Sequence, residues 1–404
     1  MTISGAEVVV GGGAIGGLSS ALLLAEAGAS VTLLERVAEP AAVGAGILLQ
    51  PNGLAVLAGL SLPDDVNASG HRMPGGVVRS ADGTPISTVA VGNHDPAFGH
   101  VLAVRRSRLM KVLLDAAVAH PGIVVRLGAE VIAAHSDGTV EYRSGGPATT
   151  IEAELVVGAD GVGSVVRSGG NFDSHIRSTG ATYVRGLVEA AGLDLEGEYW
   201  TSLGLFGGAP LGDGSTYFYA AANAPPVAEA VVGRDLAAFT AQWAGALPMA
   251  GRVLGRLTSF DQLLINEVVR VDNERWSDGR LVLVGDAAHA MAPTLGQGAN
   301  SAIVDAAVLA HELAVTPGEP LSPGLARYAA RRQPPVRRVQ NQADRLAKLS
   351  ALGNPALRLT RDAALRLAGR LPRATARLSR MAQQEDPAAL HDSVVRLVRG
   401  HTHR

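Results

Sequence analysis

The stretch Glu7-Val8-Val9-Val10-Gly11-Gly12-Gly13-Ala14-Ile15-Gly16-Gly17-Leu18 decides the fold, read together with the residues after it as far as Arg36. Glu7–Val10 is a short β-branched run and predicts a strand. Leu18–Ala27 is rich in Leu and Ala, which are strong helix formers, and Gly28 stops it as a C-cap does. Ser30–Leu34 predicts a second strand that ends at Glu35-Arg36. Strand, glycine turn, helix and strand in that order make a parallel βαβ unit with a right-handed crossover.

Gly11-Gly12-Gly13-Ala14-Ile15-Gly16 satisfies G-x-G-x-x-G. Alone the pattern is weak, but here it follows a strand, opens a helix and precedes an acid, Glu35, 19 residues beyond Gly16. Glycines let the backbone approach a pyrophosphate, and the helix N-terminus adds unpaired N–H donors and the positive end of its dipole. Glu35 suits both hydroxyls of an adenosine ribose. The register has an alternative, Gly12-Gly13-Ala14-Ile15-Gly16-Gly17, in which Ala14 replaces the middle glycine. Backbone contacts from Gly13, Ala14, Ile15 and Gly16 are expected, those of Ala14 and Ile15 under either register.

Further along, Val104–Ala119 predicts a helix ended by Pro121-Gly122, and Ile123–Ala134 and Thr139–Ser144 read as strands around Ser136-Asp137-Gly138. Ile151–Val157 is another strand, leading into Gly158-Ala159-Asp160-Gly161. Thr182–Glu189, Trp200–Phe206 and Ser215–Ala222 read as strands of a separate sheet, and Arg234–Gly245 as a helix. Gly285–Asn300 is a glycine-rich turn, with helix from Ser301 to about the end. The fold class expected is α/β: a Rossmann-like domain over 1–71, 101–172 and 276–345, an inserted mixed β-sheet domain over 72–100 and 173–275, and C-terminal helices over 346–404.

Composition narrows the function. The chain has 404 residues, of which 47% are hydrophobic and 18% charged, a core-forming composition that excludes disorder. Lys+Arg is 35 against Asp+Glu 37, so a general nucleic-acid binder is not expected. Residues 321–404 carry 17 Lys/Arg and 5 Asp/Glu, read as solvated faces of helices. Cysteine is absent, which removes disulfides, thiolate metal sites and cysteine nucleophiles together. The first positive charge is Arg36 and no apolar run reaches about 20 residues, so neither a signal peptide nor a membrane span is expected and the location expected is cytoplasmic. The histidines are scattered, and no metal site is expected.

Three further segments name the nucleotide. Gly158-Ala159-Asp160-Gly161-Val162-Gly163-Ser164-Val165-Val166-Arg167, Gly285-Asp286-Ala287-Ala288-His289-Ala290-Met291-Ala292-Pro293 with Gly296-Gln297-Gly298-Ala299-Asn300, and Gly44-Ala45-Gly46-Ile47-Leu48-Leu49-Gln50-Pro51-Asn52 stand in family order. Together with the fingerprint they resemble the single-component FAD-dependent aromatic hydroxylases, the para-hydroxybenzoate hydroxylase-like flavoprotein monooxygenases, from residue 6 to about 380. The resemblance implies FAD as cofactor, NADPH or NADH as cosubstrate, O2 adding at flavin C4a, and a small-molecule substrate hydroxylated or epoxidised by a monomer or homodimer.

It also implies residue roles. Glu35, with Arg36 beside it, would hold the adenosine ribose; Arg106, in an R-x-x-L position with Leu109, would reach the FAD phosphates or ribityl chain; Val131 would make a backbone contact to adenine. Asp160 would orient the turn near the pyrophosphate, and Asp286 would bond the ribityl hydroxyls. Gly296, Gly298, Ala299 and Asn300 would wall the flavin, with N–H groups of the last three facing its N1 edge, and Pro293 would close the turn beside the reactive face. His289 is expected to pack and hydrogen-bond locally rather than act as acid or base.

On the substrate side, Pro210-Leu211-Gly212-Asp213-Gly214-Ser215-Thr216-Tyr217-Phe218-Tyr219 resembles the family hairpin in which alternate residues point to flavin and substrate. Tyr217 and Tyr219 share a face, and Tyr217 is the candidate hydroxyl. Arg185 would bind an anionic substrate or pair with an acid. The urate hydroxylase branch has an arginine where this chain has Leu205, which argues for a hydrophobic, aromatic or polycyclic substrate held by Leu203, Leu205, Phe206, Leu211, Met291 and Leu295. No general base stands out. The rivals are a flavin reductase or halogenase and a weakly flavin-binding, non-catalytic subunit; the halogenase W-x-W-x-I-P pattern is missing, and intact Glu35, Arg106, Asp160 and Asp286 argue against the subunit.

Overall fold

Val8, Val9 and Val10 are at most 1% exposed, which requires cover on both faces of their strand, as in a parallel sheet between helices. In the computed structural model, which describes residues 3–39, 45–62, 66–91, 95–189, 192–316, 318–371 and 379–402, that strand lies inside a six-stranded sheet. The spatial order is Ser277–Asp278, Leu281–Leu283, Leu155–Gly158, Glu7–Gly11, Ser30–Glu35 and Ile123–Leu127. All neighbours are parallel except the edge pair Ser277–Asp278 with Leu281–Leu283. Helix Ile15–Glu26 follows the first strand and packs on helix Gly298–Ala314.

Two expected strands divide. Ile123–Leu127 joins the main sheet, Gly128 turns at φ 69°, and Glu130–Ala134 joins a separate three-stranded sheet with Thr139–Arg143 and Ala148–Glu152. Ile151–Val157 breaks at Ala153-Glu154, where Glu154 N–H turns to the Glu7 carbonyl (2.8 Å) and Leu155–Gly158 enters the main sheet. The expected helix Val104–Ala119 begins at Arg106, because Val101–Arg105 pairs with Gly46–Leu49 and His71–Met73. The expected continuous helix after Ser301 is several: Gly298–Ala314, Leu321–Ser350, Pro355–Gly369 and Pro387–Thr402. Leu378 and His403 lie outside the described residues.

The inserted sheet has seven strands, ordered Leu264–Asn273, Ser174–Glu189, Ser215–Ala221, Gly204–Pro210, Gly197–Thr201, Gly75–Ser80 and Pro85–Ala90. Its two faces differ. On one, Val184, Phe206 and Phe218 bury themselves against three short helices, Pro225–Val232, Leu236–Ala246 and Pro248–Leu254, with Trp243 at the centre. On the other, Tyr183, Leu205, Tyr217 and Tyr219 face the turn around Ala292–Leu295 and the segment from Ala45. The long C-terminal helix adds Ala343 and Leu346 to that second face.

Candidate active site

The glycine turn is shaped for a ligand that needs backbone and no side chain. Gly12 has φ 101°, and a Cβ there would sit 2.5 Å from the Ala159 carbonyl oxygen. Gly17 packs on the Gly12 carbonyl with no room for a Cβ. Gly12 and Gly17 therefore take the tight-turn and helix-packing positions, and the fingerprint runs Gly12-Gly13-Ala14-Ile15-Gly16-Gly17. Gly16 packs against Ala302, a helix-to-helix contact. Ala14 is the N-cap of Ile15–Glu26, with no side-chain cap and no acid in the first turn, so the first N–H groups stay free for an anion. Gly13 N–H donates to Glu35 Oε2 (2.6 Å) and Val37 N–H to Oε1 (2.8 Å), which fixes that carboxylate at the strand end. Arg36 is exposed beside it, and Val131 lies over the strand end, its Cγ2 3.4 Å from where a Gly11 Cβ would be.

Asp160 caps the short helix Val165–Ser168, accepting from Val165 N–H (2.7 Å) and Val166 N–H (3.2 Å). Its Oδ1 is buried with no partner among the described residues. Buried Arg167 then reaches the carbonyls of Val162 (2.5 Å) and Ala287 (2.9 Å), tying the two aspartate motifs together.

The second motif hangs on a residue that sequence reasoning missed. Asp305, fully buried, accepts from Gly285 N–H (3.0 Å), His289 Nε2 (2.5 Å) and Arg332 Nε (2.8 Å). Burial pushes its carboxyl up, but the His289 ring and the Arg332 guanidinium outweigh that and hold it at about 2. His289 also stacks on Trp276 (5.1 Å), so it braces the motif through packing and its bond to Asp305. Asp286, one turn away, is left exposed toward the cleft.

A polar seam holds the flavin-facing turn. Asn300 accepts from Gln50 N–H (2.9 Å) and donates to the Leu48 (3.0 Å) and Gly296 (2.8 Å) carbonyls. Gln297 donates to Gln50 Oε1 (2.6 Å), and Gln50 to the Leu295 carbonyl (2.7 Å). From far down the chain, Gln383 accepts from Asn52 N–H (3.1 Å), and Gln384 donates to Ser301 Oγ (2.6 Å) and Gln297 Oε1 (3.1 Å). The Asn300 side chain is thus structural, while the backbone N–H groups of Gly298, Ala299 and Asn300 stand at a helix start with no side-chain cap and no acid. Gly296 turns at φ 61°, and Pro293 is exposed at the head of the turn Pro293–Leu295. Gly44 lies outside the described residues.

Arg105 and Arg106 part company at the strand-to-helix junction. Arg105 pairs with Asp213 and with Glu189 (2.7 Å) on the inserted sheet. Arg106 heads its helix with its side chain accessible; the surrounding protein, and then Arg185, lower its pKa against the pull of Asp286 and Tyr217. Arg185 donates to Asn266 Oδ1 (2.5 Å), while its Nε has no partner among the described residues. Tyr217 lies against Gly46, where a Cβ would be 2.6 Å from the Tyr217 Cβ, and burial raises its pKa. Arg106, Arg185, Tyr217 and Asp286 thus lie within electrostatic reach of one another.

Beyond them are two packed apolar clusters, the candidate wall of a substrate chamber. Leu205, 1% exposed, clusters with Tyr183, Trp200, Ala292 and, at its edge, Leu295; Leu211 clusters with Tyr217, Ala45 and Met73. Met291 is half-buried in the adjoining turn. Leu203 and Phe206 do not line the chamber: both pack on the opposite face with the three short helices, because alternation along the strand turns Phe206 away from Leu205 and Leu203 sits in the hairpin turn. Tyr219 meets a carboxylate unforeseen from the sequence, Glu198 Oε2, at 3.3 Å.

FAD fits what is present. The fingerprint glycines make a turn so tight that Cβ atoms would strike the protein's own atoms, two helices start without a side-chain cap or an acid, and Asp160 keeps a buried oxygen without a partner among the described residues. The comparisons agree. The family described as FAD binding domain matches residues 6–343. The chain is 32% identical over 334 residues to aurachin C monooxygenase/isomerase of Stigmatella aurantiaca, covering 81% of this chain and 85% of that one. It is 32% identical over 364 residues to 2-heptyl-3-hydroxy-4(1H)-quinolone synthase of Mycobacteroides abscessus, covering 86% and 92%. Among solved structures, a variant of 2-methyl-3-hydroxypyridine-5-carboxylic acid oxygenase superposes with a TM-score of 0.75 at 27% identity, over 87% of this chain and 94% of that one.

Proposed function

Since the chain belongs to the FAD binding domain family and is an FAD-dependent monooxygenase, we propose that it hydroxylates a hydrophobic bicyclic aromatic, a 4(1H)-quinolone or a close relative, using NAD(P)H and O2. The observation that carries this reading is the join of two environments. Glu35 and two open helix N-termini supply groups for a nucleotide, Arg106 and Asp286 lie within electrostatic reach of each other and of Arg185 and Tyr217, and Leu205, Trp200, Ala292 and Leu211 belong to the apolar clusters in which we place the substrate chamber.

When bound, FAD supplies hydride acceptance and O2 activation, which no side chain here can supply. The chain supplies the rest. With FAD in place, the N–H groups at the start of Ile15–Glu26 would hold the pyrophosphate and Glu35 the ribose. Arg106 would reach the phosphates or the ribityl chain, and Asp286 would accept from the ribityl hydroxyls. N–H groups of Gly298 and Ala299 favour negative charge at the ring edge they face, by about 0.3–1 kcal/mol if exposed and more when desolvated. Pro293 and the apolar wall keep water from the reacting face. Tyr217 and Arg185 orient polar substituents of the substrate, and Leu205 in place of an arginine selects against a small anion.

The test is direct. Purified protein is expected to be yellow and to oxidise NADPH or NADH faster when 2-heptyl-4(1H)-quinolone is added. Colourless protein without affinity for FAD overturns the reading.

No helix among the described residues is long and apolar enough to cross a membrane. For the location we keep to the cytoplasm as a proposal, and for assembly to a monomer or homodimer.

A further inference from the structure

We propose that Glu198 is the proton acceptor for the substrate, reached through Tyr219: a ring O–H or N–H of the bound substrate gives its proton to Tyr219 Oη as Tyr219 passes its own to Glu198. The inference rests on the functional reading above and gives that chamber its missing base.

The geometry is a straight row across four strands. Arg185 stands opposite Tyr219, Tyr219 opposite Gly207, and Gly207 opposite Glu198, so all four share one face of the inserted sheet. Gly207 is what lets the row connect. A Cβ there would sit 2.6 Å from Tyr219 Cζ and 2.7 Å from its Oη, so the tyrosine lies across the bare backbone of that strand. It thereby delivers its hydroxyl to Glu198 Oε2 at 3.3 Å, while Trp200 Nε1 donates to Oε1. Tyr217 is the next ring along, 5.7 Å from Tyr219.

The environment suits a base. Glu198 is half-buried as a residue, and its carboxyl is surrounded by protein. Burial pushes it up to about 7, against the pull of Trp200 and Tyr219. The groups facing it are Trp200, Tyr219 and Tyr183, and burial and Glu198 itself raise the Tyr183 hydroxyl. From helix Pro355–Gly369, Arg361 lies over the Trp200 ring at 4.8 Å, but its Nε is bonded to Asp362 (2.7 Å). No ion pair to Glu198 forms among the described residues, so its charge costs more than a purely structural role would justify. A glutamine would accept from Trp200 and donate to the Tyr219 hydroxyl without that cost.

The charges balance. The substrate gains one negative charge as Glu198 loses one, so the chamber's net charge is unchanged, and Arg185, with its unpartnered Nε, sits on the substrate side of Tyr219 to favour the new anion. The proton leaves Glu198 for water when product departs.

The experiment compares wild type with Glu198→Gln and Tyr219→Phe, all loaded with FAD. Infrared difference spectra across about pH 6–8 are expected to show a carboxyl that titrates in wild type and is missing from Glu198→Gln. With 4-nitrophenol and 2-heptyl-4(1H)-quinolone as probes, stimulated kcat is expected to fall roughly 100-fold in both variants with KM within about threefold. The wild-type acid limb of the pH profile is expected to disappear in Glu198→Gln. No titrating carboxyl, or variants within twofold of wild type on an unchanged pH profile, overturns the proposal. FAD-loaded wild type that neither probe stimulates overturns the functional reading beneath it, and the proposal with it.

Discussion

Replacing Asp305 by asparagine should cost more than its single lost charge suggests. The carboxylate accepts from Gly285, His289 and Arg332, and it and Arg332 are both fully buried. An asparagine turns an N–H2 toward one of these donors. It also leaves the guanidinium with Gln384 (2.7 Å) and a Glu385 carboxylate 3.9 Å away. Stranding one partner of a buried pair costs about 3–5 kcal/mol. Linkage gives an independent figure. The carboxyl lies at about 2 in the fold against 3.8 for the free group, so it contributes roughly 2 kcal/mol at neutral pH. The sign follows from the lowered value: that stability is present above about pH 4 and is lost as pH falls toward 2. The mutational figure is larger because acid neutralises the carboxylate but leaves its oxygens in place. Urea unfolding at neutral pH reads the total, and Trp276, stacked on His289, makes fluorescence a local reporter. FAD affinity should drop with it, since the turn that carries Asp286 is held by Gly285 and His289. A loss below about 1 kcal/mol with an unchanged acid limb would refute the reasoning.

Three other outcomes are expected. Gly12→Ala places a Cβ 2.5 Å from the Ala159 carbonyl at a φ of 101°, so FAD binding should fall at least tenfold, about 1.4 kcal/mol, by flavin fluorescence titration. Leu205→Arg puts a cation into the wall beside Tyr183 and Trp200; the Kd for 2-heptyl-4(1H)-quinolone should rise by about tenfold or more, and unchanged affinity would count against that wall. Gly46→Ala must push the Tyr217 ring off its seat, so substrate KM should rise while FAD affinity, read at the other end of the cleft, changes by less than about threefold.

Much of this is legible in the chain because backbone chemistry announces itself. A turn that needs positive φ needs glycine, and an apolar strand before it with an acid after the next strand leaves few other folds. The one-residue ambiguity in the fingerprint does not resolve from letters, since three consecutive glycines look alike until Ala159 stands next to one of them. The brace is less legible. Asp305 sits in the apolar run Ile303–Ala310, and a lone acid there signals a buried partner, but its partners are 16, 20 and 27 residues away. Glu198 gives weaker warning still: its meaning depends on Gly207 and Tyr219 lying across two neighbouring strands, which is a matter of register. Leu203 misleads for the same kind of reason, since two leucines two apart look equivalent until the hairpin turn separates them.

The hydrogen bond from Asn52 to Gln383 joins positions 331 residues apart. A ribosome adds about 5–20 residues per second, so the first corner of the cleft waits roughly 20–60 s after its own synthesis for the segment that locks it. The early βαβ unit can pair its strands meanwhile, but the seam at Gln297 and Asn52 is completed only from the far end. A nascent chain thereby cannot close this corner until residue 383 has emerged.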